Sequence, residues 1–84
     1  MQISEIRMKK RSSDGVFLAS CSITFDRAFV VSGIKVLRSK EGKMYVSYPC
    51  WRNSDGEYKD VCFPMTRELR DEITEKVLAK YGEL

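Results

Sequence analysis

Through the first half of the chain apolar and polar residues alternate with a period of two. Ile6 and Met8 alternate with Glu5, Arg7 and Lys9, the pattern of a strand with one buried and one solvated face. The polar run Ser12-Ser13-Asp14-Gly15 supplies turn residues. Val16 to Phe25 then resumes the alternation, with Phe17, Ala19, Cys21, Ile23 and Phe25 on one side, so the two runs read as a hairpin. Asp26 and Arg27 make a tight connection to a third strand, Ala28 to Leu37. Gly33 inside it marks a bulge or a close approach of backbone. Ser39 to Lys43 is the next turn, and Met44 to Tyr48 a short strand ended by Pro49, which has no N–H to give a central ladder. Cys50 to Gly56 reads as a polar loop and Tyr58 to Phe63 as a last short strand, closed by Pro64.

The period then changes. Thr66 is a helix N-cap, and Leu69, Ile73, Val77, Leu78 and Tyr81 follow at the spacing of one helical face. Glu72 and Lys76 form a favourable pair four residues apart, and Gly82 suits the position just past the helix end. Strands first and one helix afterwards predict an α+β domain: a mostly antiparallel sheet of about five strands followed by a C-terminal amphipathic helix, one domain over residues 1–84.

Composition sets the scale of this picture. At 84 residues, with 43% apolar and 32% charged residues, the chain builds one modest core, worth roughly 3 to 5 kcal/mol. Self-association that buries more apolar surface is the natural supplement. No apolar run approaches the roughly 20 residues of a membrane span. The basic start, Arg7 to Arg11, is not followed by the apolar stretch of a signal peptide, so a cytoplasmic location is expected.

Catalytic chemistry finds little support. The three cysteines, Cys21, Cys50 and Cys62, are odd in number and widely spaced, and read as reduced packing thiols. There is no histidine, which removes the commonest metal ligand and general base. Asp55, Glu57 and Asp60 cluster beside turn residues without a partner base. No phosphate-binding loop, dinucleotide fingerprint or nucleophile elbow is present. The expectation is a binding protein that is not an enzyme, with no cofactor and no metal. Its net charge of +3 is uneven: residues 1–43 hold nine Lys and Arg against four Asp and Glu, and residues 44–84 six against eight.

With the order of elements in place, the residues Ile3-x-x-Ile6-Arg7, Ser22-Ile23-Thr24-Phe25-Asp26-x-x-Phe29-Val30-Val31 and Ile34-Lys35-Val36 resemble the bacterial SpoVG family, stage V sporulation protein G. The later half agrees in order, with Tyr45-Val46, Pro49, Arg52, Asp55-Gly56-Glu57-Tyr58-x-Asp60, Pro64, Arg70, Ile73, Val77-Leu78 and Tyr81. The resemblance implies a small cytoplasmic protein that forms homodimers, binds DNA and RNA, and affects sporulation, division septum formation and gene expression. An alternative implied role is septation control through contacts with a division or sporulation protein. The chain departs from the family's usual pattern at Cys50 and Trp51, where a serine and a basic residue are common, and at Phe63, where a histidine is common.

Five residues are candidates for nucleic-acid contact: Trp51, Arg52, Lys59, Arg67 and Arg70. Arg67 and Arg70 lie in the first turn of the helix, where a cation opposes the macrodipole and a bound phosphate would compensate it. Glu68, Asp71 and Glu72 offer local neutralisation instead. Trp51-Arg52 pairs an aromatic with a guanidinium, a platform for unstacked bases, with Lys59 sharing its surface; Trp51 equally suits the edge of a core or a subunit contact. Arg7, Lys9 and Arg11 form a cationic row that either tracks a phosphate backbone or is a solvated strand face.

Overall fold

The computed structural model describes residues 1–11 and 15–84; the first three residues of the expected turn, Ser12, Ser13 and Asp14, lie outside them. Four strands, β1 (Ile3–Lys10), β2 (Phe17–Phe25), β3 (Phe29–Arg38) and β4 (Met44–Ser47), form an antiparallel sheet in chain order. Beyond Pro49, β5 (Cys50–Arg52) pairs with β6 (Tyr58–Asp60) as a separate two-stranded ribbon. The helix α1 (Arg67–Gly82) follows. The α+β class is as expected, but the start of the expected polar loop is a strand, and the strands divide four and two.

Alternation along β2 and β3 builds the core. Ala19, Cys21, Ile23 and Phe25 from β2 meet Ile34 and Val36 from β3, and Ile73 and Val77 of α1 cover them. The helix lies against this inner face and reaches both edge strands, β1 and β4. Ile23, Ile34, Val36 and Val77 are wholly buried, each worth roughly 1.5–3 kcal/mol of transfer free energy. The helix starts where expected: the Thr66 hydroxyl accepts a hydrogen bond from the Leu69 N–H at 3.2 Å. Lys76 reaches Glu72 at 3.0 Å. The far end differs, because the helix runs through Gly82 and stops at Glu83, which stays right-handed at φ −84°.

Two bulges alter which residues share a face. At the first, Phe17 pairs with Leu37 and Ala19 with Val36, so Leu18 is an extra residue in β2. An inserted residue reverses the alternation. Phe17 therefore leaves the side of Ala19, Cys21, Ile23 and Phe25, contrary to the expected run, and stands on the outer face under the Arg11 guanidinium (4.4 Å from the ring centroid) and the Lys35 ammonium (5.3 Å). The second bulge is at Ser32-Gly33, where Cys21 pairs with Ile34 and Ile23 with Val31. Gly33 has φ +82°, which suits the bulge, while the Pro49 ring, 3.6 Å from where a Cβ would sit, makes an ordinary van der Waals contact and no backbone among the described residues comes closer there.

The β2–β3 turn also has its own chemistry. Asp26 and Arg27 both have positive φ, 52° and 55°, the two left-handed residues of a hairpin turn whose twist matches that of the strands. The start of the chain secures them: the Gln2 N–H donates to Asp26 Oδ1 at 2.8 Å and the Arg27 N–H donates to Ser4 Oγ at 2.7 Å.

Candidate functional site

The ribbon carries three of the five expected contact residues. Trp51 pairs directly with Lys59, and Arg52 with Tyr58. Neighbours along a strand point to opposite faces, whereas directly opposed residues share one. Trp51 and Arg52 are therefore on opposite faces, and the expected tryptophan–arginine platform does not form. In its place the register sets Trp51 opposite Lys59 and Arg52 opposite Tyr58, one couple on each side of the ribbon, with the Arg52 guanidinium lying against Gly56. Both rings are open to solvent, Trp51 at 55% and Tyr58 at 71% exposure. Tyr58 was not among the expected contacts, because only the pairing of β5 with β6 brings it opposite Arg52. Asn53 closes the connection by accepting from the Asp55 and Glu57 N–H groups at 3.0 and 2.9 Å through its side chain. Lys59 is weakly engaged by Glu57 at 3.7 Å.

The other two expected residues flank an open concavity of about 550 Å³ at the start of the helix, lined by Phe63, Pro64, Met65, Thr66, Arg67, Arg70 and Asp71. Arg67 has a carboxylate partner, Asp71, at 3.8 Å across one helical turn. Arg70 has none within 4.0 Å among the described residues, and stands over the Tyr48 ring, 5.4 Å from its centroid. Local neutralisation thus reaches Arg67 and not Arg70.

Tyr48 joins the two regions. Burial raises its phenol above the ordinary range, the Arg70 charge opposing this and the Asp60 charge adding to it, so the ribbon and the helix start meet electrostatically there. The Tyr48 hydroxyl is buried, with Thr74 beside it but not in good hydrogen-bond geometry. Next to Tyr48 lies an apolar groove of about 480 Å³, between the ends of β2 and β3 and the helix, where Phe29, Phe63 and Met65 are exposed. Of the cysteines, Cys21 is buried as expected, while Cys50 is exposed on the ribbon and is not a packing thiol.

A helix laid on one face of an antiparallel sheet, with solvent-exposed cations and aromatics gathered on a ribbon and at the helix start, defines a small α+β domain. The SpoVG family model matches residues 1–83. The chain is 42% identical over 82 residues to "Putative septation protein SpoVG" of Archaeoglobus fulgidus, covering 98% of this chain and 95% of that one. To the protein of the same name in Clostridium acetobutylicum it is 38% identical over 84 residues, covering 100% and 87%. In Macrococcus caseolyticus the corresponding figures are 39% over 83 residues, 99% and 71%. The chain belongs to the SpoVG family. No helix among the described residues is long and apolar enough to cross a membrane.

Proposed function

We propose that this chain is a nucleic-acid-binding regulatory protein that acts on DNA or RNA as a homodimer, in the service of division septum formation and sporulation control. The observation that carries the reading is Arg70: a guanidinium at the start of a helix, with no carboxylate partner among the described residues, beside an open concavity. An anion there would relieve an unfavourable charge–dipole contact and accept bidentate hydrogen bonds. Arg52 and Lys59, each opposite an exposed aromatic, extend the cationic surface along the ribbon. The septation role rests on the printed names of the relatives.

Such binding is mostly electrostatic, so affinity for labelled DNA or RNA falls steeply as salt rises. Arg70→Ala weakens it about tenfold at low salt, the loss of one charge-assisted contact. Arg52→Ala also weakens it, and Arg67→Ala does so less, because Asp71 already engages that side chain. All three variants keep the wild-type circular dichroism. Absence of any binding at roughly 50 mM salt would sink the proposal.

A second reading, septation control through protein contacts, is favoured by the exposed Trp51, Phe63 and Met65. Under it, a division protein is still recovered with this chain after nuclease treatment. If nuclease abolishes every association, this reading fails and the first stands.

A further inference from the structure

The face of the four-stranded sheet turned away from the helix carries an ordered chemistry of its own. Pairing across β2, β3 and β4 aligns Phe17, Leu37 and Tyr45 in one row. The adjacent row across all four strands is Lys9, Ser20, Lys35 and Ser47. Beyond it Arg7 pairs with Ser22. Strand spacing puts Phe17 and Tyr45 roughly 10 Å apart, and the aromatic and cationic rows roughly 7 Å apart.

The charges on this face are available. Glu5 is its one carboxylate among the described residues, and it is held by Arg7 at 2.7 Å. Lys9, Arg11 and Lys35 have no carboxylate within 4.0 Å among the described residues. Arg11 and Lys35 instead stand over the Phe17 ring. Ser20 stands between Lys9 and Lys35 and Ser47 beyond Lys35, short hydroxyl side chains that leave this part of the face flat and can hydrogen-bond base edges or phosphates, while the exposed Val30 opposite Thr24 marks the far end of the face.

We infer that this outer sheet face binds single-stranded nucleic acid, with unstacked bases on the Phe17–Leu37–Tyr45 row and phosphates along Lys9, Lys35 and Arg11. The charge complementarity selects a polyanion. The aromatic row selects the strand state, because a base offers its π-face only when unstacked. A flat sheet has no element to enter a duplex groove, whereas an open four-stranded sheet with aromatics in one row, here on β2 and β4 with Leu37 of β3 between them, can hold about two or three splayed bases. The surface uses none of the ribbon or helix-start residues, and stands or falls apart from them.

The test is fluorescence anisotropy with labelled oligothymidine and oligouridine of about 12 nucleotides, and a duplex of about 20 base pairs, at roughly 50 mM salt. Phe17→Leu and Tyr45→Leu keep apolar volume but lose the aromatic face. Each weakens single-strand binding at least about fivefold, the lower end for loss of one stacked base, and changes duplex binding less than about twofold. Lys35→Gln lowers the single-strand salt slope by about 0.7. Cross-linking with a photoreactive bromouridine strand falls on the peptides containing Phe17 and Tyr45. Should Phe17→Leu fail to fold, the exposed Tyr45 and Lys35 variants decide. Unchanged single-strand affinity in those two overturns the inference, as do equal losses on duplex and single strand, or a surface that retains an acidic protein and no oligonucleotide. If affinity falls with Arg70→Ala alone, the helix-start reading holds and this one is wrong.

Discussion

Cys21 illustrates how one residue's burial becomes a property of the protein. Packed between β1 and β3, its thiol is pushed up from 9.0 to about 11 by loss of water around the thiolate. A group whose folded value is raised favours the fold while it is protonated. Its contribution is therefore complete below about pH 9 and is lost as pH climbs through about 11. Tyr48 acts in the same direction, since burial raises its phenol too. Urea titrations should show stability falling by on the order of 2 kcal/mol between those pH values on account of Cys21. The fall should be smaller in Cys21→Ala, although that variant is less stable at neutral pH. An equal alkaline loss in both proteins would contradict the assignment. The burial of Cys21 was legible in its alternation with Ala19 and Ile23, as was the exposure of Arg7 and Lys9. The outward turn of the half-buried Phe17 was not: it has the spacing of a core residue, and only the inserted Leu18 puts it on the outer face.

At the scale of elements, the helix is the part that local rules describe best. Thr66, the Leu69–Ile73–Val77 face and the Glu72–Lys76 pair all act within a few residues of one another, and each takes its expected role. Thr66→Ala removes the bond to the Leu69 N–H and should lower stability by about 1 kcal/mol, read as a drop of roughly 4–8 °C in the thermal midpoint; Thr66→Ser should restore most of it. No change in Thr66→Ala would mean that the start of the helix is held by its packing alone. The ribbon is the opposite case. Cys50-Trp51-Arg52 has no alternation long enough to declare a strand, and it becomes one only because Tyr58-Lys59-Asp60 folds back beside it. The same pairing separates Trp51 from Arg52 and gives Arg52 the neighbour Tyr58.

For the whole molecule the question is what covers the apolar surface left over. Phe29 at 66%, Phe63 at 54% and Met65 at 92% exposure surround a groove running into the core at Phe25, Ile34 and Ile73. A monomer this small gains stability by covering such a patch, and the proposed homodimer places a second copy there. Light scattering at micromolar concentration should give twice the mass of the 84-residue chain, and Phe63→Glu with Met65→Glu should shift it to monomer. A wild-type protein that is monomeric throughout this range would refute the dimer.

Alternation, turn residues and the helical period belong to the neighbourhood of each residue, so the main strands, the tight turn at Asp26-Arg27 and the cap at Thr66 could be read along the chain. The outer face could not. Which side Phe17 takes depends on an extra residue in a pairing, and which cations join the Arg7–Lys9–Arg11 row depends on the order of strands, because Lys35 comes from a segment far from it along the chain. Hydrophobic periodicity says that a strand has two faces. Register and topology decide which residues each face holds, and those are set by contacts between distant segments.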